Sequence, residues 1–224
     1  MYIKLSHNIT SNSPVYPGNP PPLLCERKKE ETERYACNTS TITLFTHNGT
    51  HIDPPLHFNP EGKSIDKLPL EWFIYTSPKV INISKKDSEL ISYADLKGHN
   101  IKNYDLILFR TGFSKFRNTD PARYSSKNPG LSNDAAMFLI EECNSLKAVG
   151  IDTISFGAYQ HPEEGIAVHK ILCGINKDRR FILLIEDLFL EEISFKKLLR
   201  VYALPLFWEE GDGSPCTVIA EVEK

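Results

Sequence analysis

Three short apolar runs restrict the fold of this chain most. Residues 105–111 and 181–185 are almost continuous apolar runs of leucine, isoleucine and phenylalanine, and 148–154 opens with the apolar Ala148-Val149-Gly150-Ile151. A strand with one wet face alternates apolar and polar residues, whereas a strand buried on both faces reads as an unbroken apolar run. Each run therefore predicts a strand inside a sheet. Between the first two lies a helical pattern that starts at Ser132, a good cap, and places Ala136, Leu139, Ile140, Cys143 and Leu146 at intervals near 3.6. Between the last two, Pro162-Glu163-Glu164 opens a helix that stops at Gly174. Strand, helix, strand in this order predicts right-handed crossovers in a mixed α/β sheet. Further strands are expected at 2–9, 41–46 and 78–83, and at 202–207 and 216–221 around the turn 211–215. Ser92 and Asp95 have the form of a capping box for a short helix before Gly98. The whole of 1–224 reads as one domain.

Chemistry concentrates at 46–58, where three of the seven histidines fall within eleven residues. The spacing is His47-x3-His51-x-Asp53-x3-His57. Imidazole nitrogen and carboxylate oxygen are the ligands that suit zinc and manganese. Asn48-Gly49 marks a tight turn that would bring His47 back towards His51. On extended backbone, His51 and Asp53 share a face. Pro54 and Pro55 forbid a regular helix and stiffen the link to His57. The competing reading, a histidine-rich surface loop, leaves the acid, the turn and the prolines without a purpose.

Two later positions have ionisable groups in apolar company. His169 sits among Ile166, Ile171 and Leu172, where a histidine is more often structural than a ligand. Glu186 ends the run at 181–185; a carboxylate there is costly to bury unless it is paired, bound to a metal, or capping the segment that follows. Near the start, 11–22 holds five prolines in twelve residues and must be extended. It reads either as a linker or as a segment lying near the site through Tyr16. The dense charges of 26–33 read as a solvated turn or strand edge.

The formal charge of −3 and pI near 6.2, with no basic stripe, exclude a sequence-independent nucleic-acid binder. No apolar run approaches a membrane span and the first residues are no signal peptide, so a soluble, cytoplasmic protein is expected. Five widely spaced cysteines without a Cys-x2-Cys pair predict buried free thiols rather than disulfides or a cysteine–zinc knot.

The segment 47–58 resembles the H-x-G-T-H-x-D-x-P-x-H-F signature of the metal-dependent cyclase/hydrolase family, which includes kynurenine formamidases and isatin hydrolases. His47, Gly49, Thr50, His51, Asp53, Pro55, His57 and Phe58 match every fixed position. Weaker resemblances run over most of the chain, including Tyr16-Pro17-Gly18, His169-Lys170-Ile171-Leu172, Ile185-Glu186-Asp187-Leu188 and Asp212-Gly213-Ser214-Pro215. The resemblance implies a swivelling β/β/α fold. It implies one or two zinc or manganese ions held by His47, His51 and Asp53, with His169 and Glu186 as a second position, and His57 as acid–base catalyst. It further implies a homodimer or homotetramer and hydrolysis of a small aromatic amide such as N-formylkynurenine or isatin. The stretch 173–181 is longer than the family pattern, which leaves His161 as a fallback ligand. Tyr16 and Phe207 are candidates for contact with the substrate, with core or interface packing as their competing role. A metal-stabilised binding protein without turnover is the alternative from another class.

Overall fold

The three apolar runs form the middle of one sheet in a computed structural model of the chain. The structure describes residues 1–32, 36–175, 180–193 and 197–223, with the backbone alone for 24–30. In chain order the first elements are β1 (Tyr2–Lys4), β2 (Leu23–Glu31), β3 (Ala36–Thr43), β4 (His51–Asp53), β5 (Ile74–Tyr75), β6 (Pro78–Asn82) and β7 (Leu90–Ile91). Then come α1 (Tyr93–Leu96), β8 (Leu106–Arg110), α2 (Phe116–Thr119), α3 (Pro121–Ser126), β9 (Gly130–Leu131), α4 (Asn133–Glu142) and β10 (Ala148–Ile151). The chain closes with α5 (Pro162–Leu172), β11 (Leu183–Glu186), β12 (Leu198–Pro205) and β13 (Ser214–Val222).

The main sheet has the order β5-β12-β13-β4-β11-β10-β8-β6, with β1 beside β13. Strands β6, β8, β10 and β11 are parallel neighbours, and every other pairing in the sheet is antiparallel. The sheet is thus mixed, as expected. Its two end strands, β5 and β6, are separated in sequence only by Thr76 and Ser77. So short a link forces the ends together, and the sheet curls until β12 touches β6, almost closing a barrel.

The curl explains the apolar runs. Leu106, Leu108, Ala148, Leu183 and Ile185 face inward and join Ile52, Tyr75, Val218 and Ala220. Their alternates Ile107, Phe109, Val149, Ile151 and Leu184 face outward, where α4 and α5 cover them with Leu139, Val168 and Leu172. Both faces are dry, and each leucine or isoleucine so buried contributes roughly 1.5–3 kcal/mol.

Several boundaries differ from expectation. The first strand is only Tyr2–Lys4, because the chain turns to bridge Ser6 with Leu188. The strand expected at 41–46 is β3, Ala36–Thr43, which pairs with β2 in a separate hairpin and leaves before Phe45. Helix α4 stops at Glu142, short of Leu146, where the Arg180 guanidinium donates to the carbonyls of Ile140 and Cys143 and satisfies its open end. The charged stretch 26–33 lies on β2 as far as Glu31, while residue 33 lies outside the described residues, as does 176–179 within the long segment 173–181. Cys143, Cys173 and Cys216 are buried free thiols and Cys37 is half-buried, without a disulfide among the described residues. Among these residues no helix is long and apolar enough to cross a membrane.

Candidate active site

The site begins with β4, three residues held between β11 and β13. Its register sets His51 opposite Glu186 and Asp53 opposite Leu184. Because side chains alternate along a strand, Ile52 enters the core while His51 and Asp53 share the other face. His51 Nε2 lies 3.5 Å from Asp53 Oδ1 and 3.3 Å from Glu186 Oε2. The turn at Asn48-Gly49 returns His47, whose Nδ1 lies 2.8 Å from the same Asp53 oxygen. Thr50 locks the turn in place: its hydroxyl donates to the Asp187 carbonyl at 2.6 Å and accepts from His7 N–H at 2.9 Å. The prolines permit no regular helix, only one 3-10 turn, Pro55–His57, with Pro55 at the position where a missing N–H costs nothing. That turn sets the His57 ring 4.0 Å from the His47 ring, centroid to centroid.

His169 arrives from α5. The helix lies against the 155–158 segment through Gly165, where an added Cβ would sit 2.9 Å from the Gly157 Cα. This close approach carries His169 Nε2 to 3.3 Å from Glu186 Oε1. Glu186 caps no helix. Its Oε1 accepts from the Ser155 hydroxyl (3.1 Å) and Phe156 N–H (2.8 Å), which aims the carboxylate at the two histidines. The next residue, Asp187, has a left-handed φ of 53° and is buried with Arg117, which grips both its oxygens, and Tyr124, whose hydroxyl donates at 2.6 Å.

The electrostatics follow from two buried carboxylates in one place. Burial works to raise Asp53, but the imidazoles of His57, His47 and His51 outweigh it and hold it well below the usual carboxylate range. Burial and Asp53 work to raise Glu186, yet His169 and His51 bring it down to about 2. Burial would depress His47, but Asp53 and Asp212 raise it to about 10. His51 and His169 are raised in the same way, against burial, by Asp53 and Glu186. His57 goes the other way: burial, with His47 and His169 nearby, lowers it to about 4, so it is a neutral base at pH 7.

These residues fit a metal ion. His51 Nδ1 donates to the Gly49 carbonyl (2.8 Å) and His169 Nδ1 to the Gly165 carbonyl (2.7 Å). A carbonyl only accepts, so in each neutral ring Nε2 carries the lone pair, and it faces carboxylate oxygens that also only accept. A positive charge must lie between such groups, either a proton on the imidazoles, as the raised His51 and His169 have in the metal-free protein, or a metal ion in its place. Asp53 Oδ2 is moreover buried without a hydrogen-bond partner. The ligand atoms of His47, His51 and Asp53 lie within 4.8 Å of one another, as do those of Asp53, His57 and His169.

The cluster opens into a cavity of about 380 Å³ walled by Tyr16, Phe45, His57, Phe58, Ile154 and Ile166. Tyr16 is where the site-proximal reading expected it, edge-on to Tyr159. Phe207 is not: it is 45% exposed, packs edge-on against Phe73, and does not line the cavity. His161 does not line it either; its Nε2 faces the Ser88 carbonyl at the exposed start of α5, so His169 is the downstream histidine in the cluster. Residues the sequence reading missed are Asp212, Arg117 and Tyr124. Only Asp212 gave a signal, since it sits in the turn 211–215.

Fold and site together define a mixed-sheet α/β protein with a buried histidine–carboxylate centre beneath an aromatic-walled cavity. The sequence profile of the family described as putative cyclase matches residues 3–158, and the chain belongs to that family. Kynurenine formamidase of Bacillus cereus is 26% identical over 219 residues, covering 97% of this chain and 96% of the relative. The Bacillus anthracis kynurenine formamidase is 27% identical over the same shares. Among solved structures, isatin hydrolase A from Labrenzia aggregata superposes with a TM-score of 0.83 at 24% identity, covering 100% of this chain and 94% of that one. A predicted metal-dependent hydrolase from Bacillus stearothermophilus gives 0.73 at 25% identity, with 98% and 97% covered.

Proposed function

We propose that this protein is a metal-dependent amide hydrolase of small aromatic substrates, an arylformamidase that converts N-formylkynurenine to kynurenine and formate. The observation that carries the proposal is the convergence of His47, His51, Asp53, His169 and Glu186 in one buried cluster, with His57 beside it at the wall of one cavity. The formamidase names of relatives along nearly the whole chain support the choice of bond. His47, His51 and Asp53 would hold one zinc or manganese ion, and His169 and Glu186 would supply ligands for a second. When bound, such an ion acidifies a water and polarises a carbonyl oxygen. His57 takes a proton from the attacking water and returns it to the departing amine, which a base left unprotonated at neutral pH can begin at once. Tyr16, Phe45 and Phe58 offer an aromatic ring flat apolar walls.

The test is hydrolysis of N-formylkynurenine by metal-stripped protein and by protein given back zinc or manganese. Turnover on the order of 1 s⁻¹ or more, present only with metal, is expected. Turnover of isatin but not of N-formylkynurenine would move the substrate to cyclic amides. No turnover of any small amide with either metal would overturn the catalytic reading in favour of a metal-stabilised binding protein.

A further inference from the structure

We propose that Asp212 is the positioning carboxylate of His47, accepting its Nε2–H and so aiming Nδ1 at the metal position. The inference rests on the metal reading above. Each of the three candidate ligand imidazoles points one nitrogen at the Asp53–Glu186 pair and ties the other down. For His51 and His169 the tie is a main-chain carbonyl, Gly49 and Gly165. For His47 it is a side chain: Nε2 lies 3.2 Å from Asp212 Oδ2. An imidazole that binds through one nitrogen is fixed in tautomer, orientation and basicity by the partner of the other. A charged partner does this more strongly than a carbonyl, because the hydrogen bond is charge-assisted. Asp212 is the one carboxylate among the three ties.

Its position is built rather than incidental. Asp212 Oδ1 accepts from the Thr46 hydroxyl at 3.3 Å, one residue before the histidine it serves. The turn that carries it is pinned on both sides, by Ile65 N–H to the Gly211 carbonyl (2.9 Å) and by Trp208 Nε1–H to the Gly213 carbonyl (3.0 Å). Gly213 then lies flat on the His47 ring, with no room for a Cβ. The ring is thereby held on its face by Gly213 and at its edge by Asp212. Asp212 itself is 44% exposed at the side chain, so replacing it does not empty a core position.

The experiment compares wild type, D212A and the isosteric D212N. Zinc and manganese dissociation constants are measured by chelator competition, the melting temperature on metal-free protein, and turnover at saturating metal. D212A is expected to bind metal more weakly by on the order of 10- to 100-fold. D212N, which keeps a neutral oxygen acceptor, should fall between. The metal-free melting temperature should stay close to wild type, and turnover should recover at saturating metal. Unchanged metal affinity in D212A overturns the proposal, as does a lower melting temperature with unchanged affinity, which would mark a merely structural role. Turnover still lost at saturating metal would instead make Asp212 catalytic. Wild-type protein that binds neither ion overturns the metal reading and this inference with it.

Discussion

A single methyl group at Gly213 tests whether the His47 ring is held as tightly as the structure shows. An ideal Cβ at Gly213 would lie 2.3 Å from His47 Cε1, 2.8 Å from Nε2 and 2.9 Å from Nδ1. Ordinary contact begins near 3.4 Å, so the ring must retreat by about 1 Å. It has nowhere to go cheaply. The His57 ring stands 4.0 Å away, and the two ring nitrogens are engaged at 2.8 Å and 3.2 Å by Asp53 and Asp212. Overpacking of this kind costs about 1–3 kcal/mol, which in a chain of this size lowers the melting temperature by roughly 5 °C. Displacement of His47 should weaken metal binding by about tenfold, the equivalent of some 1.4 kcal/mol. Gly98→Ala is the matched control, because nothing lies within 4 Å of a Cβ there. Thermal melting of metal-free protein and chelator competition read the two effects. Wild-type melting and wild-type affinity in Gly213→Ala, alike with Gly98→Ala, would refute the account of a clamped ring.

Three further outcomes follow from the same geometry. His57→Ala should keep its metal and lose turnover by about 10²- to 10⁴-fold, measured as metal content and steady-state rate; metal lost in parallel would make His57 a ligand. Arg117→Met leaves the buried Asp187 carboxylate without its bidentate partner, a loss of about 3–5 kcal/mol that should lower the melting temperature by roughly 10 °C, and an unmoved midpoint would contradict it. Burial lowers His7 from 6.5 to about 4, so the unfolded chain binds more protons between those values. That stability is full above pH 6.5 and lost as pH falls towards 4, up to about 3 kcal/mol. His7→Leu should flatten the slope of melting temperature against pH, and a slope identical to wild type would remove His7 from the titration.

The fold was legible wherever burial dictates residue type. The runs around Leu106–Arg110, Ala148–Ile151 and Leu183–Glu186 had to be interior strands, because no wet face would tolerate them. The order of pairing was not legible. That β4 inserts between β11 and β13 depends on contacts more than a hundred residues apart, and three residues carry no periodicity. In the site, His47, His51, Asp53 and His57 announced themselves by spacing. His169 and Glu186 each had an ordinary structural reading, and nothing in the sequence shows that they approach one another to 3.3 Å. Phe207 shows the opposite failure: an aromatic beside a family-like turn invited a site role, yet packing on Phe73 takes it elsewhere. Asp212 stands in a family-like stretch, yet it was missed as a site residue because a turn rich in glycine and aspartate gives no sign that His47 is its neighbour.

The place of β4 has a consequence for how the protein is made. The histidine–aspartate motif is synthesised early, but both strands that flank it come late, at Leu183–Glu186 and Ser214–Val222. A nascent chain therefore carries His47, His51 and Asp53 for most of its synthesis without the edges that order them, and without Asp212 and Gly213. Pairings of such long sequence separation form slowly, and until β13 arrives one edge of β4 stands open to other chains. On the proposed metal reading, capture of the ion is then a late event in maturation, and its retention would mark a chain whose last strand is in place.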